Sequence, residues 1–527
     1  MLIQPQDTSQ IMIFTSFDDF IESEHPVRVI KHIIDSILKT SQEEYTERGD
    51  ARTGRPAYST DTLLKIFIYG YINRITSSRR LEQETKRNIE LMWLTGCLRP
   101  DHKTISDFRK DNKQLIKNFS RDIKLFLKGL GLISTATIAV DGTKLKANAS
   151  RDMIKKDDVI NRLKELEREL EQYLSQMDEQ DSLDTLANQD ELHPEKERTY
   201  QAKINTLEKE IAGLKKSLSI MKDKGHNYLS KTDRDCNMMQ TRDGVIPAYN
   251  AQIATETENK FIVNESVTDE ANDKNQLKPA VKSVEEELST EVGTVIVDSG
   301  YCNYDVIQEI ESNKDRQCFV TTPKVQNRTP EITFAYDKGN DCYRCSQGQL
   351  LTLKHRNKKA KNSFVNVYVG QNCDGCPIRT QCTGSKQGRH ISRFWNHDFR
   401  QEYRERMKEP LAAQMSKLRK SSIEHVFGTM KTWLGKIPLL TRGIESVATE
   451  ISLFAASYNI KRLLSLFSFD KIISMIKAYY DFILVKFNEI HQYLTILGLY
   501  FTFKKTKLFV YNFPILIFTF VICYEKI

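Results

Sequence analysis

The sequence predicts an α/β protein: a mixed sheet flanked by helices, with an all-α N-terminal domain in front and two inserts. Three observations carry this reading. Apolar residues at helical spacing run through residues 20–130. Short β-branched runs then alternate with helical stretches between 133 and 321. Two segments, 151–230 and 335–390, interrupt the alternation with patterns of their own.

The chain has 527 residues, long enough for several units with sizeable cores. It is 39% hydrophobic with only 22 Gly and 13 Pro, which excludes a wholly disordered or collagen-like chain. Net charge is +8, but the charge is uneven. Residues 1–50 are net −6, residues 51–130 net +9 and residues 344–442 net +14. Two basic blocks on a near-neutral chain fit a polyanion partner. The first 30 residues lack a basic start with an apolar core and include Asp18, Asp19, Glu22 and Glu24. No signal peptide is read there, so the expected setting is cytoplasmic, with reduced thiols.

In the N-terminal domain, residues 1–130, Leu63, Leu64, Phe67, Ile68 and Tyr71 form one helical face, with Ser59-Thr60-Asp61 as a possible cap. Further helices are expected over Arg79–Asn88 and Thr104–Lys128, punctuated by Pro100 and Gly129-Leu130-Gly131. Arg74, Arg79, Arg80, Lys103 and Arg109 interleave with the apolar positions. They read as DNA contacts, against the plainer reading of a solvated helical face.

Ile133–Val140 reads as a buried strand ending in Asp141-Gly142-Thr143. Residues 151–230 carry two seams spaced by threes and fours. One is Val159, Leu163, Leu166, Leu170, Tyr173 and Met177; the other runs from Ile204 to Met221. An antiparallel coiled-coil hairpin is the simplest arrangement for them. Strand signals resume at Val245–Thr255 and Phe261–Val267, followed by a helix over Asn275–Leu288. A strand over Gly293–Val297 then ends in Asp298-Ser299-Gly300-Tyr301, with a helix over Tyr304–Ser312 and a strand over Gln317–Thr321 after it. Asp141 and Asp298 therefore stand at strand ends, where α/β sheets place chemistry. A third acid, Glu424, flanks a helical stripe of Ile423, Val426, Phe427 and Met430. Three carboxylates brought together repel unless a cation is present, and hard oxygen ligands favour Mg²⁺ or Mn²⁺. Two such ions about 4 Å apart suit displacement at a phosphodiester. Lys431 is positioned to pair with a nearby phosphate.

Five of the ten Cys cluster as Cys342-x2-Cys345 and Cys373-x2-Cys376-x5-Cys382, a set suited to structural Zn²⁺. Four places for five thiols leave the ligand set open; knuckle symmetry alone favours Cys342 over Cys382.

These motifs, in this order, resemble the DDE transposases of bacterial insertion sequences. The strongest stretch is Ile423-Glu424-His425-Val426-Phe427-Gly428-Thr429-Met430-Lys431, followed by Leu440-Thr441-Arg442-Gly443 and Ser457-Tyr458-Asn459-Ile460-Lys461-Arg462. Val140–Lys144 and Val297–Tyr301 resemble the first and second acidic motifs, and Leu64–Arg80 with Asn88–Lys110 resemble the DNA-binding region. The resemblance covers roughly residues 18–466. It implies a ribonuclease-H-like core with Asp141, Asp298 and Glu424 as the metal-binding triad. It also implies cleavage of DNA at element ends, strand transfer into target DNA, and a homodimer in the DNA complex. Lys417 occupies the family's Tyr-like position and Lys420 its Arg-like one, with Arg419 adjacent; Lys431 and Arg442 join them as DNA contacts. For zinc, the resemblance favours Cys345, Cys373, Cys376 and Cys382, with Cys342 as the alternative.

The expected organisation is then a DNA-binding domain over 1–130 and a catalytic core over 131–150 and 231–334, resuming at 391–469 with the Glu helix. The coiled-coil insert spans 151–230 and the zinc-binding insert 335–390. An atypical apolar tail over 470–527 is expected to be dispensable. Its longest apolar run, Leu508–Tyr524, is short for a membrane span, so no obligate membrane partner is expected. The competing readings are a non-catalytic DNA-binding protein derived from a transposase and a ribonuclease-H-like nuclease without strand transfer.

Overall fold

The computed structural model describes residues 16–40, 57–150, 152–187, 194–313, 315–322, 332–360, 363–434, 439–479 and 481. Among these, six helices precede the first strand: α1 (Pro26–Thr40), α2 (Thr60–Ile72), α3 (Ser78–Arg87), α4 (Ile89–Thr95), α5 (His102–Asp111) and α6 (Lys113–Gly129). Ser59 caps α2 as its sequence suggests, its hydroxyl accepting from the Thr62 N–H. The single helix expected over Thr104–Lys128 is two helices. Asn112 breaks it by leaving helical geometry, with its side-chain amide donating to the Phe108 carbonyl.

Strand β1 (Thr137–Lys146) starts later than expected and runs through Asp141 instead of stopping at it. The short strands β2 (Met153–Lys155) and β3 (Tyr228–Ser230) pair at the base of a helical hairpin, α7 (Lys156–Ala187) and α8 (Pro194–Asp223). Leu166 packs with Leu207 and Ile211 between its arms, and Val159 with Met221 and Leu229 at its root. The main sheet is completed by β4 (Asn237–Thr241), β5 (Gly244–Glu256), β6 (Ile262–Thr268), β7 (Thr294–Val297) and β8 (Gln317–Val320). Helix α9 (Leu277–Leu288) precedes β7 and α10 (Tyr304–Ile310) precedes β8. One edge of β5 pairs antiparallel with β1; the other carries β4 and then β6, both antiparallel. Strands β7 and β8 continue beyond β1 in parallel. This antiparallel pairing with β5 from Ile138 to Lys146 explains the length of β1.

The Cys-rich insert is more ordered than its sequence suggests. Strands β9 (Phe334–Asp337), β10 (Cys342–Cys345), β11 (Leu350–Ala360), β12 (Ser363–Gly370) and β13 (His390–Phe394) form an antiparallel five-stranded sheet in chain order. A short helix, α11 (Arg379–Cys382), lies between the last two strands. Tyr343, Leu351 and Tyr368 make its small core.

Helix α12 (His397–Arg406) leads to α13 (Pro410–Leu434), which crosses the main sheet with Ile423, Val426 and Met430 fully buried. Each such side chain contributes roughly 1.5–3 kcal/mol of transfer free energy. Helix α14 (Ile444–Leu466) is buried along most of its length. It joins the N-terminal helices to the sheet: Phe67, Phe119, Phe261, Ile423 and Phe454 belong to one continuous core. Lys124 of α6 strengthens the join, its buried ammonium held by Glu265 of β6 and Glu287 of α9. In α14, Asn459 donates to the Ile262 carbonyl and accepts from its N–H, at 2.9 and 2.8 Å. The Ser457–Arg462 motif thus stitches helix to sheet.

The boundary expected after residue 469 falls ahead of a packed helix. Residues 469–479 are helical, Ile472 and Ile476 are buried in the main core, and the Tyr479 ring meets Phe126 edge-on at 5.1 Å. The rest of the tail, including Leu508–Tyr524, lies outside the described residues. Among the described residues no helix is long and apolar enough to cross a membrane.

Candidate active site

The parallel pairing of β1 with β7 places two acids together. Ala139 is level with Ile296, so continuing that register brings Asp141 level with Asp298, one strand spacing of about 4.8 Å away. Asp141 is largely buried, with its side chain 21% exposed. Its Oδ1 accepts from the Gly142 N–H at 2.8 Å, and its Oδ2 from Arg419 Nη1 at 2.9 Å. Burial, then the negative charge of Asp298, pushes its pKa up to about 6, against the pull of Arg419 and the Gly142 N–H. Asp298 follows β7 and accepts the Gly300 N–H at 2.8 Å.

A third acid, missed by sequence reasoning, stands beside them. Asp273, between β6 and α9, accepts from Asn250 Nδ2 and Gln252 Nε2, both at 2.7 Å, and lies 3.3 Å from Lys144 Nζ. Asn250 and Gln252 are buried two residues apart on β5 and so project from the same face. The Tyr301 hydroxyl donates to Gln252 Oε1. Burial, with the charges of Asp273, Asp141 and Asp298, holds that phenol well above its ordinary pKa. The two motif glycines leave room for this cluster. A methyl on Gly142 would strike Gln252 Nε2 and lie 2.7 Å from Asp273 Oδ1. One on Gly300 would lie 3.0 Å from Asp298 Oδ1 and 3.5 Å from Asp273 Oδ2.

Glu424 is exposed on α13, beyond the buried Ser422 and Ile423. Five residues separate it from Arg419, which on an α-helix is about 7.5 Å along the axis and about 140° around it. In this conformation Arg419, expected as a DNA contact, faces Asp141 in place of Glu424. Among the described residues no three His, Cys, Asp or Glu side chains converge tightly enough to form a ready-made metal cage.

The other expected DNA contacts divide by exposure. Arg74, Arg79, Arg80 and Lys103 are exposed on the helical region, as are Lys417, Lys420 and Lys431 on α13. Arg442 is exposed, its guanidinium donating to the Asn148 carbonyl at 3.0 Å. Arg109 is a correction: it is 6% exposed, its guanidinium over the Phe67 ring, and its charge is withdrawn from any phosphate. His102 starts α5 bonded to Glu82, and His425 bonds the Tyr458 hydroxyl at 2.9 Å.

In the insert, Cys345, Cys373, Cys376 and Cys382 line one pocket with Leu351 and Ile378. Burial pushes the Cys382 thiol up, and the charges of the other three add to the effect. Gly370 and Gly388 press against Cys373 where a Cβ would collide or crowd it. Cys342 and Cys345 lie three apart on β10, so Cys342 projects to the opposite face.

A fold that sets two partly buried carboxylates side by side on adjacent parallel strands, under a helix bearing exposed lysines, brings acids and cations together at one site. Residues 344–464 match the family model of a transposase DDE domain, and residues 15–111 match that of a transposase domain. Both matched regions are thus similar to transposase families, the downstream one to a DDE domain. The first match spans Arg419, Glu424 and the four pocket thiols; the second spans α1 to α5. No curated protein matches the chain. A solved synaptic complex of piggyBac transposase with hairpin DNA is similar at a TM-score of 0.29 and 10% identity, over 86% of this chain and 80% of that one. A likeness that low says nothing of function here.

Proposed function

We propose that the protein is the transposase of an insertion sequence, cleaving DNA at element ends and joining the freed 3′-hydroxyl to target DNA. The observation that carries this reading is the partly buried, side-by-side Asp141–Asp298 pair in a chain whose residues 344–464 match a DDE domain. The strand order supports a ribonuclease-H-like core: β6 and β5 antiparallel, then β1, then β7 and β8 in parallel. Proposed partners are element-end and target DNA, met in the cytoplasm at the nucleoid, with a homodimer in the complex.

The acidic pair fits a divalent cation. The charge of Asp298 raises the proton affinity of Asp141, and Arg419 is the cation that meets Asp141. Mg²⁺ or Mn²⁺ would be held by Asp141, Asp298 and Glu424, and would supply Lewis-acid activation of a phosphodiester. The chain's own residues do the positioning. The Gly142 and Gly300 N–H groups aim the two carboxylates, and Arg419 holds Asp141 until a substrate arrives. Lys417, Lys420 and Lys431 offer exposed charge to phosphates. Support for Glu424 is its place inside the DDE-domain match. A second reading has a specific observation behind it: Asp273, not Glu424, stands beside the pair and would be the third carboxylate.

End-labelled DNA from the ends flanking its gene, incubated with Mg²⁺, tests both. Asp298→Ala is expected to lose cleavage by about 10²–10³-fold or more. An unchanged rate would favour the non-catalytic reading. Glu424→Gln losing activity while Asp273→Asn retains it assigns the third ligand to Glu424; the reverse assigns it to Asp273. Cleavage without joined product would favour a nuclease without strand transfer.

For the insert we propose structural Zn²⁺ on Cys345, Cys373, Cys376 and Cys382, supported by the shared pocket and the glycines that crowd Cys373. Metal analysis of the purified protein is expected to find one zinc per chain, lost in Cys376→Ser and retained in Cys342→Ser.

A further inference from the structure

The β11–β12 hairpin reaches past the sheet that carries it. Strand β10 pairs with β11 only over Leu350–Thr352, whereas β12 pairs with it out to Ala360. The outer part of β11 thus has one neighbour instead of two. Its side chains there, Lys354, His355, Arg356 and Lys358, are all exposed. Between Asp341 and Asp374 the sequence holds six Lys or Arg and no acid. Among the described residues, none of these cations forms an ion pair. Lys354 donates to Gln387 at 3.2 Å, and Arg356 to Asn366 at 2.9 Å while stacking on Phe364 at 4.5 Å. Asp341, whose carboxylate feels the charge of Arg356, is already held by the hydroxyls of Tyr336 and Tyr368.

Unpaired cations along one exposed strand repel one another, and a folded protein gains nothing by aligning them. Neutral partners orient Lys354 and Arg356 without cancelling their charge. A β-bulge at Lys354 shifts the register, after which Arg356 and Lys358 share one face of the strand. A polyanion with regularly spaced charges is the ligand such a row fits.

We propose that Lys354, Arg356 and Lys358 form a sequence-independent seat for the backbone of duplex DNA, on a different element from the acidic pair and the lysines of α13. The choice of DNA rests on the transposase reading; the charge row itself does not. The β-arm would steady the duplex while the acidic centre acts, contributing affinity and no sequence preference.

The test is binding of the full-length protein to a random-sequence duplex, with affinity followed against salt. The triple variant Lys354→Gln/Arg356→Gln/Lys358→Gln keeps the side-chain stems exposed. It is expected to lower the slope of log K against log salt by about 2–3, at roughly 0.9 per lost phosphate contact. Lys164→Gln/Lys209→Gln/Lys216→Gln, on the α7–α8 hairpin, removes the same charge elsewhere and is expected to leave the slope unchanged. Equal losses in both variants would reduce the effect to net charge and overturn the proposal, as would no loss in the first. Tighter binding to an RNA duplex or to anionic vesicles would overturn the assignment to DNA. Mg²⁺-dependent end cleavage, measured alongside, separates the two claims. Cleavage with an unaltered slope sinks the arm alone, and an altered slope without cleavage sinks the transposase reading alone.

Discussion

Asp141 is an acid kept partly against its own interest. Its ordinary pKa of 3.8 rises to about 6 in the folded chain, so the native state holds the proton more tightly than the unfolded state does. The stability this confers is fully present below about pH 4 and is lost as pH rises through 6. In chelator, Asp141→Asn is expected to exceed wild type in stability at pH 7.5 by on the order of 2–3 kcal/mol, and to match it near pH 4. Urea unfolding at the two pH values checks this; equal midpoints at pH 7.5 would contradict it. Gly142→Ala is expected to cost about 1–3 kcal/mol, because the methyl meets Gln252 and Asp273. Asp141 and Asp298 were legible because each follows an apolar run. Asp273 was not. It sits in Asp269-Glu270-Ala271-Asn272-Asp273-Lys274, which reads as a solvated loop, and its partners Asn250 and Gln252 arrive from a distant strand.

At the scale of elements, helical seams and the β5–β6 hairpin were readable from periodicity, since each buries one face against a neighbour close in sequence. The sheet of the Cys-rich insert was hidden. Its core centres on Tyr343, Leu351 and Tyr368, and although Phe364–Val369 reads as a strand, β9, β10 and β13 are only four or five residues of mixed character, so no apolar run marks them. The helix at 469–479 was masked in another way: its apolar composition merges with that of the tail. A chain ending at Phe469 loses buried Ile472 and Ile476, each deletion comparable to an Ile→Ala change of about 2–5 kcal/mol. That truncation is expected to lower the thermal midpoint sharply, whereas one ending at Asp481 is expected to retain it. Equal midpoints would show the helix to be ornamental.

For the molecule as a whole, the N-terminal helices were expected as a separate domain, and their basic character gave no hint otherwise. Their apolar faces instead complete a core shared with the sheet and α14. Sequence patterns reveal which face is buried but not against what. A fragment of residues 1–130 is accordingly expected to melt without a cooperative transition by circular dichroism. A sharp transition would mean that the region stands on its own.

The shared core also sets a timetable for biosynthesis. Helix α14 lies more than 300 residues downstream of α2 and α6, the N-terminal helices it packs against most extensively. Until the ribosome has released most of the chain, those early helices have no lid, and their apolar faces remain available to chaperones or to sibling nascent chains. The supply of folded protein would then be limited by late folding as well as by expression.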